Sequence, residues 1–311
     1  MNRSEIFNAL DIRYVDLKFS IAFMNDCHLP RYKTSALRGG MGQMLLRQNC
    51  VRDEKCEACD FEDECLVRRM MYAKYEIQPR FASHGDSMGY VIECDNKKER
   101  FRRGEVLEFH LLLYGKLIVH FSHILQAFYV LGQMGLGHDH AQYEIIKVEN
   151  EQGEAVVKRN QVYLNRLGVR TIREYAEERM QAFEKEWCRN EVHFTTPTAL
   201  KYDGELIKEF NPMAIFRSVL RRIYSFNCFE GMEIPLIELD EELPEIVRQE
   251  VQTEIVPRFS STMGKRMNLK GISGIVVFDY LSENLLLVLL AGEKLHIGKN
   301  TSFGFGGYQI R

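Results

Sequence analysis

The chain has 311 residues, more than one ordinary core covers, so about two domains of roughly 100–200 residues each are expected. With 45% hydrophobic and 27% charged residues it is not a disordered polymer. The net charge of −3 excludes a uniformly basic nucleic-acid binder, although it leaves room for a locally basic face.

The first apolar–polar alternation, DIRYVDLKFSIAF, predicts a strand with one buried face. HLPRYK breaks it. SALRGGMGQMLLRQ then predicts a helix, with Ser35 as its N-cap and Leu37, Met41, Met44 and Leu45 on one face. After a cysteine-rich insert over 50–65, the stretch from Glu105 to His120 alternates as a strand. HFSHILQAFYVLGQMG reads as a helix ending at Gly135, and QYEIIKVEN as another strand. Asn160 to Arg189 is charged and helical and reads as a connection. The second half repeats the order. EVHFTTPTALKY is strand-like, FNPMAIFRSVLRRIYSF is an amphipathic helix, GISGIVVFDY is a strand, and LLLVLLAGEKLHIG is a helix or further strand.

This order predicts an α+β fold of two tandem ferredoxin-like (RRM-like) domains. The expected boundaries are 1–158 with the insert at 50–65, a helical connection at 159–189, and 190–311. The N-terminus has no basic stretch followed by an apolar run. The most apolar segments, LEFHLLLYGKLIVHF and SGIVVFDYLSENLLLVLLAG, are interrupted by charges and turns before reaching the ~20 residues of a membrane span. A cytoplasmic protein with no membrane partner is expected.

Four of the eight cysteines, Cys50, Cys56, Cys59 and Cys65, are spaced C-x5-C-x2-C-x5-C. In a reducing compartment such spacing points to a metal rather than to disulfides. Four thiolates suit a structural zinc or an iron–sulfur cluster, which would pin an insert too polar for a core of its own. Cys27, Cys94, Cys188 and Cys228 are scattered and read as small buried hydrophobes.

Near the C-terminus Gly298, Gly304, Gly306 and Gly307 lie within ten residues, interleaved with Lys299, Thr301 and Ser302. Glycines let backbone N–H groups approach phosphate, and Lys299 supplies charge. The plainer reading is a tight turn that packs Phe303 and Phe305 into the core. Arg258, Lys265, Arg266 and Lys270 fall within thirteen residues, while Leu236 to Glu250 is acidic. Arg217, Arg221 and Arg222 share one side of a helix and are weaker candidates.

Three segments taken together resemble the CRISPR repeat-RNA-processing endoribonucleases of the RAMP superfamily. They are LPRYKTSALRGGMGQMLLR with the cysteine cluster, GEVLEFHLLLYGKLIVHFSHILQAFYVLGQMGLGHDHAQYEI, and RFSSTMGKRMNLKGISGIVVFDY running on to LHIGKNTSFGFGGYQI. The resemblance implies CRISPR repeat RNA as ligand, with CRISPR effector-complex subunits as further partners. It also implies cleavage by the 2′-hydroxyl, with no metal or other cofactor for the reaction. On this reading Arg38, Arg258, Lys265, Arg266, Lys270, Lys299, Ser302, Phe303 and Phe305 face RNA, the phenylalanines by stacking on bases.

Many relatives carry a histidine in the helix after the LRG motif, where this chain has Gln43. The replacements nearest in sequence are His28 and Tyr32, with Lys33 to hold phosphate. The departure at Gln43 also fits a non-cleaving RNA-binding subunit of an effector complex. His120 and His123 read as helix-start structure, and His138 and His140 as a polar loop.

Overall fold

The computed structural model describes residues 1–54, 56, 59–72, 75–79, 81, 88–185, 190–260 and 264–311. In chain order the elements begin with α1 (Arg3–Ala9), β1 (Arg13–Phe23), β2 (Cys27–His28), α2 (Thr34–Asn49) and α3 (Leu66–Met71). Then come β3 (Tyr90–Glu93), β4 (Arg100–Phe101), β5 (Val106–Tyr114), a 3-10 turn over Gly115–His120, α4 (Phe121–Met134) and β6 (Tyr143–Glu149). Short strands β7 (Ala155–Lys158), β8 (Gln161–Val162) and β9 (Arg170–Thr171) lead into α5 (Ile172–Lys185) and β10 (Glu191–Thr198). The chain closes with β11 (Lys201–Tyr202), β12 (Glu205–Leu206), α6 (Pro212–Glu230), β13 (Ile246–Ser260), β14 (Lys265–Phe278), α7 (Glu283–Leu295) and β15 (Tyr308–Ile310).

The fold is mixed α/β with antiparallel sheets, and the same β-α-β-β-α-β succession occurs twice. β1, α2, β3, β5, α4 and β6 give a sheet whose order runs β3-β5-β1-β6 and continues through β7 and β8. β10, α6, β13, β14, α7 and β15 give a second sheet in the order β13-β14-β10-β15. The chain divides into two compact units. One comprises residues 14–74 and 84–169; the other comprises 1–13, 75–83 and 170–311. The expected connection at 159–189 is therefore divided, because α5 packs on α7 of the C-terminal unit. There Glu293, buried on α7, accepts hydrogen bonds from Tyr175 Oη (2.7 Å), Arg179 Nε (3.2 Å) and the Ile310 amide (2.6 Å).

Local chemistry sets the helix ends. Asn211 caps α6 by accepting from the Ala214 amide, Pro212 opens it, and Gly231 ends it with φ 80°. Ser282 accepts from the Leu285 amide at the start of α7. α2 begins one residue before the expected cap: Lys33 occupies the cap position and no side chain caps the helix. β5 ends at Tyr114 rather than at His120, because Gly115 adopts φ 54° and turns the chain into a 3-10 segment. That turn and α4, Gly115–Met134, are together long and apolar enough by composition to span a membrane. Ile124, Ala127, Phe128 and Leu131 are instead buried in the N-terminal unit, with Phe128 5.2 Å from Phe19 and 5.3 Å from Phe109. The other core centres on Phe194, stacked 4.1 Å from Phe210 and 5.3 Å from Tyr308.

Candidate nucleic-acid interface and active site

The glycine-rich loop after α7 is pressed onto the end of β10. Gly306 has φ 77°, and a Cβ there would lie 1.9 Å from the Ile297 carbonyl oxygen; at Gly298, φ 80°, it would lie 2.6 Å from that of Ala199. Only glycine fits such approaches. The loop's amides serve the protein itself. Those of Lys299, Gly306 and Ile297 donate to the carbonyls of Ala199, Pro197 and Gly306, each at 3.0 Å, and that of Gly307 to Thr196 Oγ1 at 2.8 Å. The loop is thus held by its own backbone, and the phosphate cradle expected from these glycines is at these positions a packing device.

The side chains of the loop divide. Phe305 is 1% exposed, Ser302 is buried, and the buried His296 ring bonds the Phe305 carbonyl through Nδ1 at 2.7 Å. Phe305 is core, in place of the base-stacking surface expected of it, and Ser302 is closed off from solvent. Lys299 is exposed and Phe303 half-buried. The guanidinium of Arg258 lies over the Phe303 ring, 4.4 Å from its centroid.

Arg258 belongs to the long β13–β14 hairpin. The basic residues expected to precede a strand lie on the strands themselves. Arg258 pairs with Met267, Ile255 with Lys270, and Phe259 with Arg266. Paired and alternate residues share a face, so Arg266 and Lys270 stand together, while Lys265 shares the opposite face with Arg258. Lys265, Arg266 and Lys270 are exposed. The helix trio separates. Arg222 turns inward and donates Nε to the Leu295 carbonyl at 3.1 Å. Arg217 and Arg221 line a groove with Leu220, Leu236, Ile237, Glu238 and Leu239.

In the N-terminal unit, His28 is exposed on β2 opposite Arg100 of β4. It borders a recess lined by Asp26, Cys27, Lys98, Arg100, Arg102 and Glu105, in which Lys98 pairs with Glu105 at 2.7 Å. Tyr32 is half-buried, with Lys97 Nζ 4.3 Å from its ring centroid. Lys33 is fully buried. Its ammonium donates to the carbonyls of Asn96 (2.8 Å), Pro30 (3.3 Å) and Arg31 (3.4 Å). Burial pulls its pKa below the ordinary lysine value, Lys97 adds to this, and Cys94 and Glu99 oppose it. Enclosed by carbonyls, Lys33 ties the β2–α2 turn together and has no ammonium turned to solvent for phosphate. Arg38 is half-buried and Gln43 exposed on α2.

Sequence reasoning passed over one constellation. His120 and His123, set aside as helix-start structure, lie with their rings 5.9 Å apart. Their i, i+3 spacing at a helix start was the available signal.

Cys50 ends α2 and Cys65 precedes α3, with Cys56 and Cys59 between; all four are half-buried. The Cys56 thiol is pushed up by burial and then by Cys65, with Cys50 and Cys59 adding to it and Arg68 opposing. Among the described residues, however, no three His, Cys, Asp or Glu side chains are arranged to hold a metal ion, so the metal-binding expectation is not supported. Cys94 and Cys228 are buried as expected, Cys27 is half-buried, and Cys188 lies outside the described residues.

A family model described as an N-terminal domain matches residues 12–174, and one described as CRISPR-associated endoribonuclease Cas6 matches residues 192–308. An uncharacterized protein of Archaeoglobus fulgidus is 26% identical over 292 residues, 91% of this chain and 93% of that protein. Among solved structures, a Cas6 product complex superposes with TM-score 0.54 at 16% identity, over 96% of this chain and 99% of that one. A partial Cas6-RT-Cas1–Cas2 complex superposes with TM-score 0.56 at 11% identity, over 96% of this chain. This chain spans only 46% of the length of that polypeptide. The structural likeness shows a common fold. The chain thus joins an N-terminal domain of the first family, which spans more than half of it, to a C-terminal part that is similar by sequence to CRISPR-associated endoribonuclease Cas6.

Proposed function

We propose that this chain cleaves CRISPR precursor RNA within its repeats to release guide RNAs, without a metal. The 2′-hydroxyl attacks the adjacent phosphorus while the bond to the 5′ oxygen breaks, leaving a cyclic phosphate and a 5′-hydroxyl. Such a step needs a proton acceptor at the 2′ oxygen, a donor at the 5′ oxygen and positive charge at the phosphate. It requires ribose, so DNA is not a substrate. Both β-α-β-β-α-β halves are read as ferredoxin-like domains, the first carrying the cysteine insert.

The observation that carries the reading is the contact of Arg258 with Phe303, with exposed Lys265 on the same face of the hairpin as Arg258 and exposed Lys299 in the loop that bears Phe303. It offers a stacking ring and phosphate-neutralising charge in one place. In the other unit, His28, Tyr32 and Arg38 are the sequence-derived candidates for work at the phosphate. A second reading, a non-cleaving RNA-binding subunit of a CRISPR effector complex, is favoured by Gln43 standing exposed where many relatives have a histidine.

The test is incubation of purified protein with labelled repeat RNA in EDTA, beside the same RNA carrying a 2′-deoxy group at the cut site. Specific cutting of the first alone supports the cleavage reading. Tight binding of both without cutting replaces it with the second reading.

A further inference from the structure

Under the cleavage reading, on which the roles of His120 and His123 depend, two groups must transfer protons at one phosphate. The described histidines offer one such pair. His120 closes the 3-10 turn after β5 and occupies the cap position of α4; His123 lies in the first turn of that helix. Their imidazoles are 5.9 Å apart, centroid to centroid, with planes inclined at 61°. His123 is exposed and His120 half-buried, so both remain accessible at the surface. The spacing suits two imidazoles reaching to either side of one phosphate, each with a hydrogen-bond reach of about 2.6–3.2 Å.

The surroundings of His120 are cationic. Burial lowers the pKa of His120, and the neighbouring His123 and Arg69 of α3 lower it further. A histidine so placed is uncharged at neutral pH and able to take a proton. Arg69 brings positive charge to the same spot. α4 packs directly on α2, so the pair stands at the start of a helix held within the N-terminal unit.

We propose that His120 and His123 are the acid–base pair of this enzyme. His120 takes the proton from the 2′-hydroxyl as the new O–P bond forms. His123 gives a proton to the 5′ oxygen as the old P–O bond breaks. Each turnover leaves the two protonation states exchanged, and exchange with water restores them. Arg69 stabilises the charge that accumulates on the phosphate oxygens. Neither histidine lies in the core, so both can be replaced without opening a cavity.

The experiment is single-turnover cutting of labelled repeat RNA in EDTA at saturating protein, for wild type, H120A and H123A, across pH and with added imidazole. The expected result is a rate loss of about 10²–10⁴-fold in each variant with RNA affinity within a few-fold of wild type. Each variant also loses one limb of the bell-shaped profile, and imidazole partly restores the rate. A merely structural role would not produce those last two effects. Wild-type cutting that persists in both variants, or variants altered only in affinity, overturns the pair and leaves the cleavage reading standing. A wild type that binds and does not cut overturns both.

Discussion

Arg258 and Phe303 lie on different elements, yet the guanidinium sits 4.4 Å from the ring centroid and links the β13–β14 hairpin to the glycine-rich loop. Such a contact is worth about 0.5–1 kcal/mol at exposed sites. Arg258→Ala and Phe303→Ala should each weaken repeat-RNA binding. In a double-mutant cycle the pair should be non-additive by about that amount. Filter-binding titrations of the four proteins measure it, and strictly additive losses would show that the two side chains act separately.

The exposed charges of the hairpin should behave as phosphate partners. On a single strand, each phosphate that is no longer neutralised lowers the slope of log affinity against log salt by about 0.7. Changing Lys265, Arg266 and Lys270 together to Gln should therefore flatten the slope by roughly 2. A triple variant with an unchanged slope would remove the hairpin from the interface.

Gly306 and Gly104 both have positive φ, at 77° and 82°, but their surroundings are opposite. A methyl group at Gly306 would meet the Ile297 carbonyl, whereas nothing lies within 4 Å of the one built at Gly104. Gly104→Ala should cost about 1–2 kcal/mol, the left-handed backbone penalty alone. Gly306→Ala should cost more and lower Tm further. Thermal melts of the two variants make the comparison, and equal shifts would mean that the loop relaxes away from Ile297.

Lys33→Met should lower stability by about 1–3 kcal/mol by leaving the Asn96, Pro30 and Arg31 carbonyls unpaired. The pH dependence has a definite sign. Folding lowers the lysine's pKa below its ordinary value of 10.5, so just under that pH the unfolded chain binds more protons than the folded one. Wild-type stability relative to Lys33→Met should then rise with pH through that window. Urea melts at neutral pH and near pH 10 test it; a gap that narrows as pH rises would contradict the burial of the charged ammonium.

Much of the architecture was legible in the sequence because hydrophobic period reports burial directly. The helix ending at Gly135, the amphipathic α6 and the repeated order of elements all followed from spacing and turn residues. β13 did not. Its sequence, IVRQEVQTEIVPRFS, is polar and charged, and it forms by pairing with β14 rather than by burying a face. For the site, charge and glycine could be read but direction could not. Phe303 and Phe305 are two residues apart with the same side chain; one carries Arg258 and the other is core. Lys33 looked like Lys299 in the sequence, yet its ammonium lies among three carbonyls. His120 and His123 were visible only as spacing, since what distinguishes them is the distance between rings and the nearness of Arg69.

The self-bonded backbone of the glycine-rich loop bears on how an RNA strand would be received. A loop whose amides already have partners has little conformational freedom left to surrender when a ligand arrives. Association then carries no ordering penalty from this segment. Lys299 and Phe303 stand on a platform built before the encounter, and the speed of capture should follow the ionic atmosphere around the hairpin rather than any rearrangement of the loop.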